Sequence, residues 1–351
     1  MIKLLIGGSP CTYWSIAQTQ SRETKAEGQG WELFKNYLIA KEKFQPDLFL
    51  YENNKSAAAP IKEQIARELQ TELMYVNSAL VSAQNRERFY AFNWTVPQPE
   101  DRHIILDDIL EHGTPWNDKA YCLTASYSGA TLDNTLNRKQ RTMIAEPVSP
   151  ERIIRLGTFG TPHQSTRIFS AHGKSPCVCT TNPAYIAYED DKAKTYPVYQ
   201  VINGFINVKG KQCKIKLADG YYIIRKLSPV ECERLQTLPD NYTIGISNTQ
   251  RYKCLGNGWT AEIIIHILKG ALKNIPKKEK IIVLSMYDGI ATGRYCLDKL
   301  GFKNVIYFAY EIDKYAIQVA LKNYPNIIEM GNAFDIRNSD WHIDIRKAVS
   351  I

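Results

Sequence analysis

A cysteine near the start of the chain is the residue best placed for chemistry. Cys11 follows a short apolar run at residues 2–6 and the turn Gly7-Gly8-Ser9-Pro10. The apolar run predicts a buried parallel strand, and the glycines and proline predict a sharp bend after it. Open α/β sheets handle their ligands at the carboxyl ends of strands, so we expect this thiol to react with a ligand. The other cysteines are typical of small buried residues.

Two further segments place charged groups at predicted strand ends. Glu52 lies at the end of the apolar run Leu48-Phe-Leu-Tyr-Glu-Asn-Asn. Residues 81–92 form a third strand-like run, in which Arg86 and Arg88 are two positions apart and therefore project from one face. A thiol, a carboxyl and two guanidinium groups thus form one candidate constellation.

These segments resemble the motifs of the cytosine-C5 DNA methyltransferase family. Pro10-Cys11 resembles its Pro-Cys motif, Glu52-Asn53-Asn54 its Glu-Asn-Val motif, and Gln84-Asn-Arg86-Glu-Arg88 its Gln-x-Arg-x-Arg motif. Asn54 stands where the family usually has valine. The resemblance implies methyl transfer from S-adenosylmethionine to C5 of cytosine in double-stranded DNA, with S-adenosylhomocysteine as the product. A base inside a duplex is inaccessible, so the target must be flipped out, and residues 12–30 are long and polar enough to close over it.

The same resemblance assigns roles to the residues of the three motifs. Cys11 is the nucleophile that attacks C6 as a thiolate, which is helped if the following backbone amides and nearby arginines lower the pKa of its thiol. Glu52 donates to cytosine N3, for which it must carry a proton. Arg86 and Arg88 bind the O2 edge of the base and phosphate, or support Glu52; the sequence leaves their individual roles open. Gln84 is predicted to contact DNA.

Near the other end of the chain, two predicted strands carry features of cofactor binding. Residues 281–284 predict a strand before the glycine turn at residues 288–293, and Glu311 ends the next strand about 20 residues downstream. Rossmann-like folds hold ribose hydroxyls with this geometry. The turn resembles the S-adenosylmethionine motif of the mammalian de novo DNA methyltransferases. The third cofactor motif is usually Gly-Asp, and Asn332 replaces its aspartate. The resemblance implies cofactor contacts from Asp288, Gly289, Ile290, Ala291, Thr292, Gly293, Glu311, Ile312, Asn332, Ala333, Asn257 and Trp259.

The order of these motifs is unusual. In ordinary family members the cofactor motifs come first and a Gly-Asn turn lies near the end, whereas here Gly256-Asn257 precedes them. The sequence therefore predicts a circular permutant, cut between the third cofactor motif and the catalytic loop. Chains tolerate such re-cutting where termini lie close together and the break falls in a surface loop. We expect Met1 and the region after Trp341 to be neighbours at one edge of the catalytic strand.

The predicted fold class is α/β, with a circularly permuted Rossmann-like S-adenosylmethionine-dependent methyltransferase sheet and a smaller, mostly β target-recognition domain. Helical spacing predicts helices over residues 31–41 and 60–69. Prolines and glycines interrupt the periodicity from residue 96. The expected division is residues 1–95 for the catalytic half, 96–224 for recognition, 225–273 for the return to the catalytic domain, 274–280 for a linker and 281–351 for the cofactor half.

Charge supports a polyanionic partner. The chain has 44 Lys and Arg against 36 Asp and Glu, a formal net charge of +8. Residues 151–226 hold 12 basic and 5 acidic residues, so nearly all of the excess lies there. Arg155, Arg167 and Arg225 are the predicted DNA contacts in this segment. Immediately after it, Ser228 and Glu231 predict a capping box at the start of a helix.

Composition restricts the remaining classes. No run approaches 18 apolar residues and no secretory signal is visible, so we expect no membrane partner. Eight cysteines without paired CxxC spacing favour a reducing cytoplasm, which we expect to be that of a bacterial or phage-infected cell. We expect no metal, because Cys177-Val-Cys179 lacks a second pair of ligands. A restriction endonuclease is a candidate partner. Two alternatives stay open: a cytosine-C5 methyltransferase acting on RNA, and a catalytically silent DNA-binding module.

Overall fold

A computed structural model of the chain describes residues 1–16, 20, 22–148, 155–158, 167–170, 185–187 and 196–343. In these ranges no helix combines the length and apolar character needed to cross a membrane. The segment Cys177-Val-Cys179 and part of the loop expected to close over the base, residues 17–19 and 21, fall outside them.

The described helices and strands alternate at both ends of the chain. The first part contains β1 Ile2–Gly7, α1 Gln29–Phe44, β2 Leu48–Asn54, α2 Ala59–Leu69, β3 Leu73–Asn77 and β4 Glu87–Phe92. The middle part contains α3 Leu132–Leu136, β5 Met143–Pro147, β6 Arg155–Thr158, β7 Arg167–Ser170, β8 Tyr185–Ala187, β9 Tyr196–Ile202, β10 Phe205–Val208, β11 Lys211–Lys214 and β12 Gly220–Lys226. The last part contains α4 Pro229–Leu235, α5 Asn248–Asn257, α6 Ala261–Leu272, β13 Ile281–Met286, α7 Thr292–Lys299, β14 Val305–Tyr310, α8 Lys314–Asn323 and β15 Ile328–Gly331.

A seven-stranded sheet joins the two ends of the chain, in the order β15-β14-β13-β1-β2-β4-β3. β1 pairs in parallel with β13 on one side and with β2 on the other. Only β4 runs against its neighbours, since it pairs antiparallel with both β2 and β3. The sequence therefore predicts an α/β sheet correctly, and residues from opposite termini occupy its centre.

The central strands of the sheet are mostly apolar because both faces of the sheet are covered. Leu4 and Ile6 of β1 belong to one buried cluster and Leu5 to the other. Helices α1 and α2 contribute to the cluster of Leu5, whereas α6, α7 and α8 contribute to the cluster of Leu4. The predicted helices over residues 31–41 and 60–69 are confirmed, with α1 longer at both ends than its periodicity indicated.

The third strand-like run is shorter than predicted. Of residues 81–92, only Glu87–Phe92 is strand, and a short strand before it, β3, was missed. Between them the chain turns back at Asn77, whose side chain accepts a hydrogen bond from the Ala79 amide at 3.0 Å and caps the turn. Capping of this kind competes with strand pairing, so apolar content alone overestimates the strand.

A second sheet lies in the middle of the chain, with β12 pairing antiparallel with both β5 and β9. The polar segment that precedes it does not form a separate core. Trp116, Leu123 and Tyr127 pack in the same buried cluster as Leu4 of β1. The Tyr127 ring also meets the Tyr252 ring of α5 edge-on, with centroids 5.2 Å apart. The segment before β5 therefore shares the core of the seven-stranded sheet.

The helix after β12 begins as predicted. The Ser228 hydroxyl accepts from the Glu231 amide at 3.1 Å, and the Glu231 carboxylate accepts from the Ser228 amide at 2.7 Å. This reciprocal capping box satisfies two backbone donors that the first turn of α4 would otherwise leave free.

Candidate active site

Cys11 sits in a tight turn at the carboxyl end of β1. The chain approaches its neighbours so closely here that a Cβ on Gly7 would lie 2.6 Å from the Met286 carbonyl oxygen. A Cβ on Gly8 would lie 2.6 Å from the Glu52 carbonyl oxygen. Only glycine fits these two positions, and the close approach brings Cys11 beside the ends of both β2 and β13.

Opposing effects act on the pKa of the Cys11 thiol. Burial raises the pKa of Cys11 above its ordinary value of 9.0. Arg88 and Arg86 act in the predicted direction and lower this pKa, while the Glu52 charge raises it, and the net effect is upward. The arginines thus act as the sequence suggests, but burial outweighs them in the DNA-free protein.

Both oxygens of the Glu52 carboxyl are held by side chains. Arg88 Nε lies 3.0 Å from Glu52 Oε1. On the other side, the Trp259 indole Nε1 donates to Glu52 Oε2 at 3.0 Å. The side chains of Glu52 and Arg88 are only 12% and 11% exposed, so this ion pair is shielded from solvent screening. Arg88 thus supports the carboxyl directly.

Arg86 serves a different purpose, although it is two residues away on the same face. Its Nη1 donates to the Leu123 carbonyl at 2.9 Å, and its Nη2 donates to the carbonyls of Gly258 at 2.8 Å and Gly256 at 3.2 Å. The guanidinium is buried, and its contacts tie the turn after α5 to the loop around Leu123. This geometry distinguishes the two arginines, whose individual roles the motif leaves open.

Gln84 is fully buried and does not face a ligand. Its Nε2 donates to the Leu235 carbonyl at 2.7 Å and to Gln236 Oε1 at 3.0 Å, and its Oε1 accepts from the Leu123 amide at 3.2 Å. In the DNA-free protein its amide is therefore satisfied inside the fold, and its predicted contact with DNA stays a prediction.

The Arg225 side chain also makes its polar contacts within the protein. Its guanidinium contacts the carboxylates of Glu146 and Glu231, the latter at 2.8 Å through two nitrogens, and the His112 carbonyl. A phosphate would have to displace two carboxylates from a side chain that is 14% exposed, so the predicted DNA contact of Arg225 stays a prediction. The strands that contain Arg155 and Arg167 are described, but the side chains of these two residues fall outside the described part.

At the end of β13, Asp288 is a buried carboxyl with one free oxygen. Its Oδ1 accepts hydrogen bonds from the hydroxyls of Ser285 and Tyr307, each at 2.6 Å, whereas Oδ2 is buried without a partner. Burial raises the pKa of Asp288 to about 6, against hydrogen bonds that lower it. An unpartnered buried carboxylate oxygen is costly and favours a cationic or hydrogen-bond-donating ligand.

Glu311 at the end of β14 links this turn to the next strand. Its Oε2 accepts from the Gly289 amide at 2.8 Å, and its Oε1 accepts from the amides of Ile312 at 2.7 Å and Asp313 at 2.8 Å. Three backbone donors hold the carboxylate in one orientation, and Oε2, which accepts only one of them, keeps a lone pair for a further donor. The next residue, Ile312, is 73% exposed. Its side chain therefore offers an apolar surface on which a planar ring of a ligand can pack.

At the end of β15, Asn332 caps the turn that follows. Its side-chain oxygen accepts from the Phe334 amide at 3.0 Å. An aspartate could make the same contact, so the departure from the family pattern preserves this local structure.

One cavity of about 530 Å³ brings the predicted groups together. Of the predicted catalytic and cofactor residues, its lining contains Cys11, Glu52, Arg86, Arg88, Asn257, Trp259, Asp288, Gly289, Ile290, Thr292, Glu311, Ile312, Asn332 and Ala333. Ala291 and Gly293 do not line it. Gly293 packs instead on β1, where a Cβ would lie 2.3 Å from Ile6 Cδ1, and Ala291 is buried before α7. These two residues shape the turn and do not form its surface.

Sequence reasoning missed several residues at or near this cavity. Ser9, Tyr13 and Tyr287 line it, and no motif identified them. Glu329 in β15 is a further buried carboxyl, both of whose oxygens lack a partner; burial and the charges of Asp288 and Glu311 raise its pKa to about 7. The sequence signal that could have identified Glu329 is an acidic residue within a short, otherwise apolar strand. In the described ranges, no cluster of three or more His, Cys, Asp or Glu could hold a metal ion.

The mostly parallel sheet, the glycine turn and the shared cavity define an α/β protein with a ligand site at the carboxyl ends of its strands. A sequence profile of the family described as C-5 cytosine-specific DNA methylase matches residues 1–273, and the chain belongs to this family. It is therefore a methyltransferase of the cytosine-C5 class, whose methyl donor is S-adenosylmethionine.

Individual relatives agree with this assignment. The chain is 25% identical over 293 residues to the type II methyltransferase M.HhaI of Haemophilus parahaemolyticus, covering 78% of this chain and 75% of that protein. It is 25% identical over 281 residues to M.HpaII of Haemophilus parainfluenzae, with 72% and 67% covered. It is 22% identical over 374 residues to the orphan methyltransferase M.SPRI of Bacillus phage SPR, with 79% and 84% covered. Among solved structures, the Entamoeba histolytica methyltransferase EhMeth matches 78% of each chain with 12% identity and a TM-score of 0.43.

Proposed function

We propose that this protein methylates C5 of cytosine in double-stranded DNA through a covalent bond between Cys11 and C6 of the base. The observation that carries the proposal is the single cavity lined by Cys11 and Glu52 from the start of the chain and by Asp288 and Glu311 from its end. A nucleophile, a group for N3 and a cofactor site are the components that this reaction needs.

The residues at the ends of β13, β14 and β15 fit S-adenosylmethionine. Asp288 offers an unpartnered buried oxygen, and nothing lies within 4 Å of the position that a Cβ on Gly289 or Gly331 would take. These open glycines let a ligand approach the backbone. Asp288, Glu311 and Asn332 would hold the cofactor, and the acidic surroundings suit its positive charge. When bound, it supplies a methyl group on a sulfonium sulfur, ready for transfer to carbon.

The chain's own residues activate the base. The Cys11 thiol must lose its proton before the sulfur bonds to C6, and Arg88 and Arg86 favour the thiolate that forms. Glu52, held in orientation by Arg88 and Trp259, would protonate or hydrogen-bond N3 and so draw electrons away from the ring. After C5 is methylated, a base removes the C5 proton, the C5–C6 double bond re-forms and the Cys11 sulfur leaves.

We also propose that the fold is circularly permuted. The family profile ends at residue 273, before the cofactor motifs. If the chain is followed from β13 through β15 and then from β1 onward, the strands first fill one half of the sheet outward from its centre and then the other half. This is the order of a doubly wound sheet. The last turn of α1 contacts both chain ends: Lys3 Nζ donates to the Phe44 carbonyl at 3.0 Å, and Lys43 Nζ donates to the Asn338 carbonyl at 2.6 Å. Residues 344–351 lie outside the described part, so the expected proximity of Met1 to that region stays a prediction.

The domain division and the cellular setting belong to the same proposal. Residues 96–224 are the target-recognition region, with its first part packed on the catalytic core, and residues 274–280 are the linker. The basic excess of residues 151–226 favours a phosphate backbone as the partner. Relatives named type II methyltransferases favour a bacterial cytoplasm, with a restriction endonuclease as a partner to test.

Labelled cofactor tests the proposed activity and separates the alternatives. The protein is incubated with methyl-labelled S-adenosylmethionine and with separate pools of double-stranded DNA and RNA. We expect label at C5 of cytosine in DNA alone. Label in RNA alone would favour the RNA enzyme, and DNA binding without any transfer would favour the silent module. DNA that carries 5-fluorocytosine should form a denaturation-resistant complex with the protein that Cys11→Ser cannot form, because fluorine at C5 blocks release of the adduct.

A further inference from the structure

The Glu52 carboxyl has two supports of different origin. One oxygen is held by Arg88, which follows Glu52 by 36 residues, and the other by the indole of Trp259, which lies 207 residues away in the chain. Trp259 also lines the cavity beside Asp288 and Ile290. Trp259 therefore lines the cavity that also holds the cofactor residues, while its Nε1 holds the group assigned to the base.

We propose that Trp259 is a positioning residue, which fixes Glu52 for cytosine N3 and links that orientation to the filled cofactor space. The inference rests on the proposed function and deepens it, because it gives the tryptophan a role in activating the base in addition to cofactor contact.

The backbone around Trp259 is clamped on both sides, as a positioning role requires. Before it, the Gly258 carbonyl accepts from Arg86 Nη2 at 2.8 Å. After it, the Thr260 hydroxyl donates to Gln236 Oε1 at 3.0 Å and accepts from the Ser78 hydroxyl at 2.9 Å. Thr260 is also the N-cap of α6. The backbone between α5 and α6 therefore has little freedom to move the Trp259 ring.

The clamp connects the tryptophan to the Gln-x-Arg-x-Arg motif. Gln84 Nε2 donates to Gln236 Oε1 at 3.0 Å, the oxygen that also accepts from Thr260. Arg86 holds Gly258, and Arg88 holds Glu52 itself. Every second residue of the motif therefore acts on Glu52, Arg88 directly and the other two through Trp259. Catalytic groups need rigid neighbouring shells of this kind to keep their productive geometry.

A tryptophan that only lined the cofactor space would have a different signature. Its ring would contribute to cofactor affinity, and loss of its N–H would cost nothing in the chemical step. A positioning role predicts the reverse. A variant that keeps the aromatic ring but lacks the N–H should transfer the methyl group more slowly, because the lost donor acts on Glu52. Trp259→Phe keeps an aromatic ring, removes the N–H and separates these two cases.

Trp94 provides a matched control. Its indole Nε1 donates to the Ile267 carbonyl at 2.9 Å, and it does not line the cavity. Trp94→Phe therefore removes a comparable indole hydrogen bond elsewhere in the protein. For both variants and the parent, the measurements are thermal unfolding, calorimetric affinity for S-adenosylhomocysteine, and the single-turnover rate of methyl transfer to DNA.

We expect Trp259→Phe to lower the single-turnover rate by about tenfold or more, the usual effect of losing a hydrogen bond to a charged group. Its affinity for S-adenosylhomocysteine should stay within about threefold of the parent, and Trp94→Phe should transfer at the parent's rate. In a Glu52→Gln background, adding Trp259→Phe should slow transfer much less than it does alone, because both changes act on one group.

The outcomes separate this inference from the proposed function. Additive effects of Trp259→Phe and Glu52→Gln, or a rate equal to that of Trp94→Phe, would overturn the positioning role while leaving a working methyltransferase. A parent protein that binds S-adenosylhomocysteine but transfers no methyl group to DNA would overturn the proposed function itself.

Discussion

Gly7, the last residue of β1, lies directly opposite Met286, the last residue of β13. From this pair the two chain segments continue into the turns that carry Cys11 and Asp288. The strand order runs outward in both directions from β13 and β1, so their carboxyl ends flank the crevice where doubly wound sheets bind ligands. Residues 277 positions apart in the chain thus reach one cavity because two parallel strands end in register.

Replacing Cys11 by serine should abolish methyl transfer. The hydroxyl is a far weaker nucleophile than a thiolate, and the cofactor residues lie on other strands. We expect calorimetric affinity for S-adenosylhomocysteine to stay within about twofold of the parent, while transfer to DNA becomes undetectable. Robust transfer by Cys11→Ser would contradict the assignment of the nucleophile.

Replacing Glu311 by alanine should weaken cofactor binding by at least about tenfold. The change removes an acceptor for a ribose hydroxyl and also releases the Gly289 amide that the carboxylate holds. Titration with S-adenosylhomocysteine measures the effect, and DNA binding should be unchanged. Glu262→Ala is the control, since this carboxylate pairs with exposed Arg102 away from the cavity. Equal affinities of both variants would count against the ribose role.

The reactivity of Cys11 should rise with pH well beyond neutrality. The thiolate is the reactive form, and burial raises the pKa of Cys11 above 9.0, so its alkylation rate should increase about tenfold per pH unit until the pH exceeds that value. Iodoacetamide labelling of the DNA-free protein from pH 6 to 10, read by mass spectrometry at each cysteine, tests this. Cys122 is an internal comparison: Arg86 and Arg88 lower its pKa although burial opposes them. A plateau of Cys11 labelling below pH 8 would be inconsistent with the structure.

Asp288 should destabilise the cofactor-free protein at neutral pH. Burial raises its folded-state pKa from 3.8 to about 6, so its favourable contribution is complete below pH 3.8 and is lost as the pH rises through 6. Asp288→Asn should therefore increase the free energy of unfolding at pH 7.5 by up to about 3 kcal/mol, less the cost of weaker bonds to Ser285 and Tyr307. Urea unfolding at pH 7.5 and 4.5 measures it. If Asp288→Asn is less stable than the parent at pH 7.5, this account is refuted. We also expect Asp288→Asn to bind the cofactor weakly.

The permutation can be tested by moving the break. A chain in which residue 351 is joined to residue 1 by a flexible Gly-Ser linker, and which is opened within residues 274–280, should keep the same strand neighbours. We expect it to fold and to methylate DNA within about tenfold of the parent rate. A control opened inside β13 should fail, because that strand is buried at the centre of the sheet. Failure of both chains would contradict closely spaced ends.

The sequence by itself determined the sheet class, the position of Cys11 and Glu52 at strand ends, the glycine turn at Asp288 and the capping box at Ser228. These features depend on residues close together in the chain, where periodicity and spacing carry the information. For the same reason it predicted candidates for both halves of the cavity.

Tertiary structure decided what each polar side chain contacts. Arg86 meets Gly258 across 172 residues, and Glu52 meets Trp259 across 207, so no local pattern distinguishes the roles of Arg86 and Arg88. Burial likewise decided what surrounds Gln84, ion pairs with Glu146 and Glu231 decided it for Arg225, and burial set the direction of the Cys11 pKa. Desolvation and hydrogen bonding depend on which atoms surround a group after folding, and these atoms come from strands and turns that are distant in sequence.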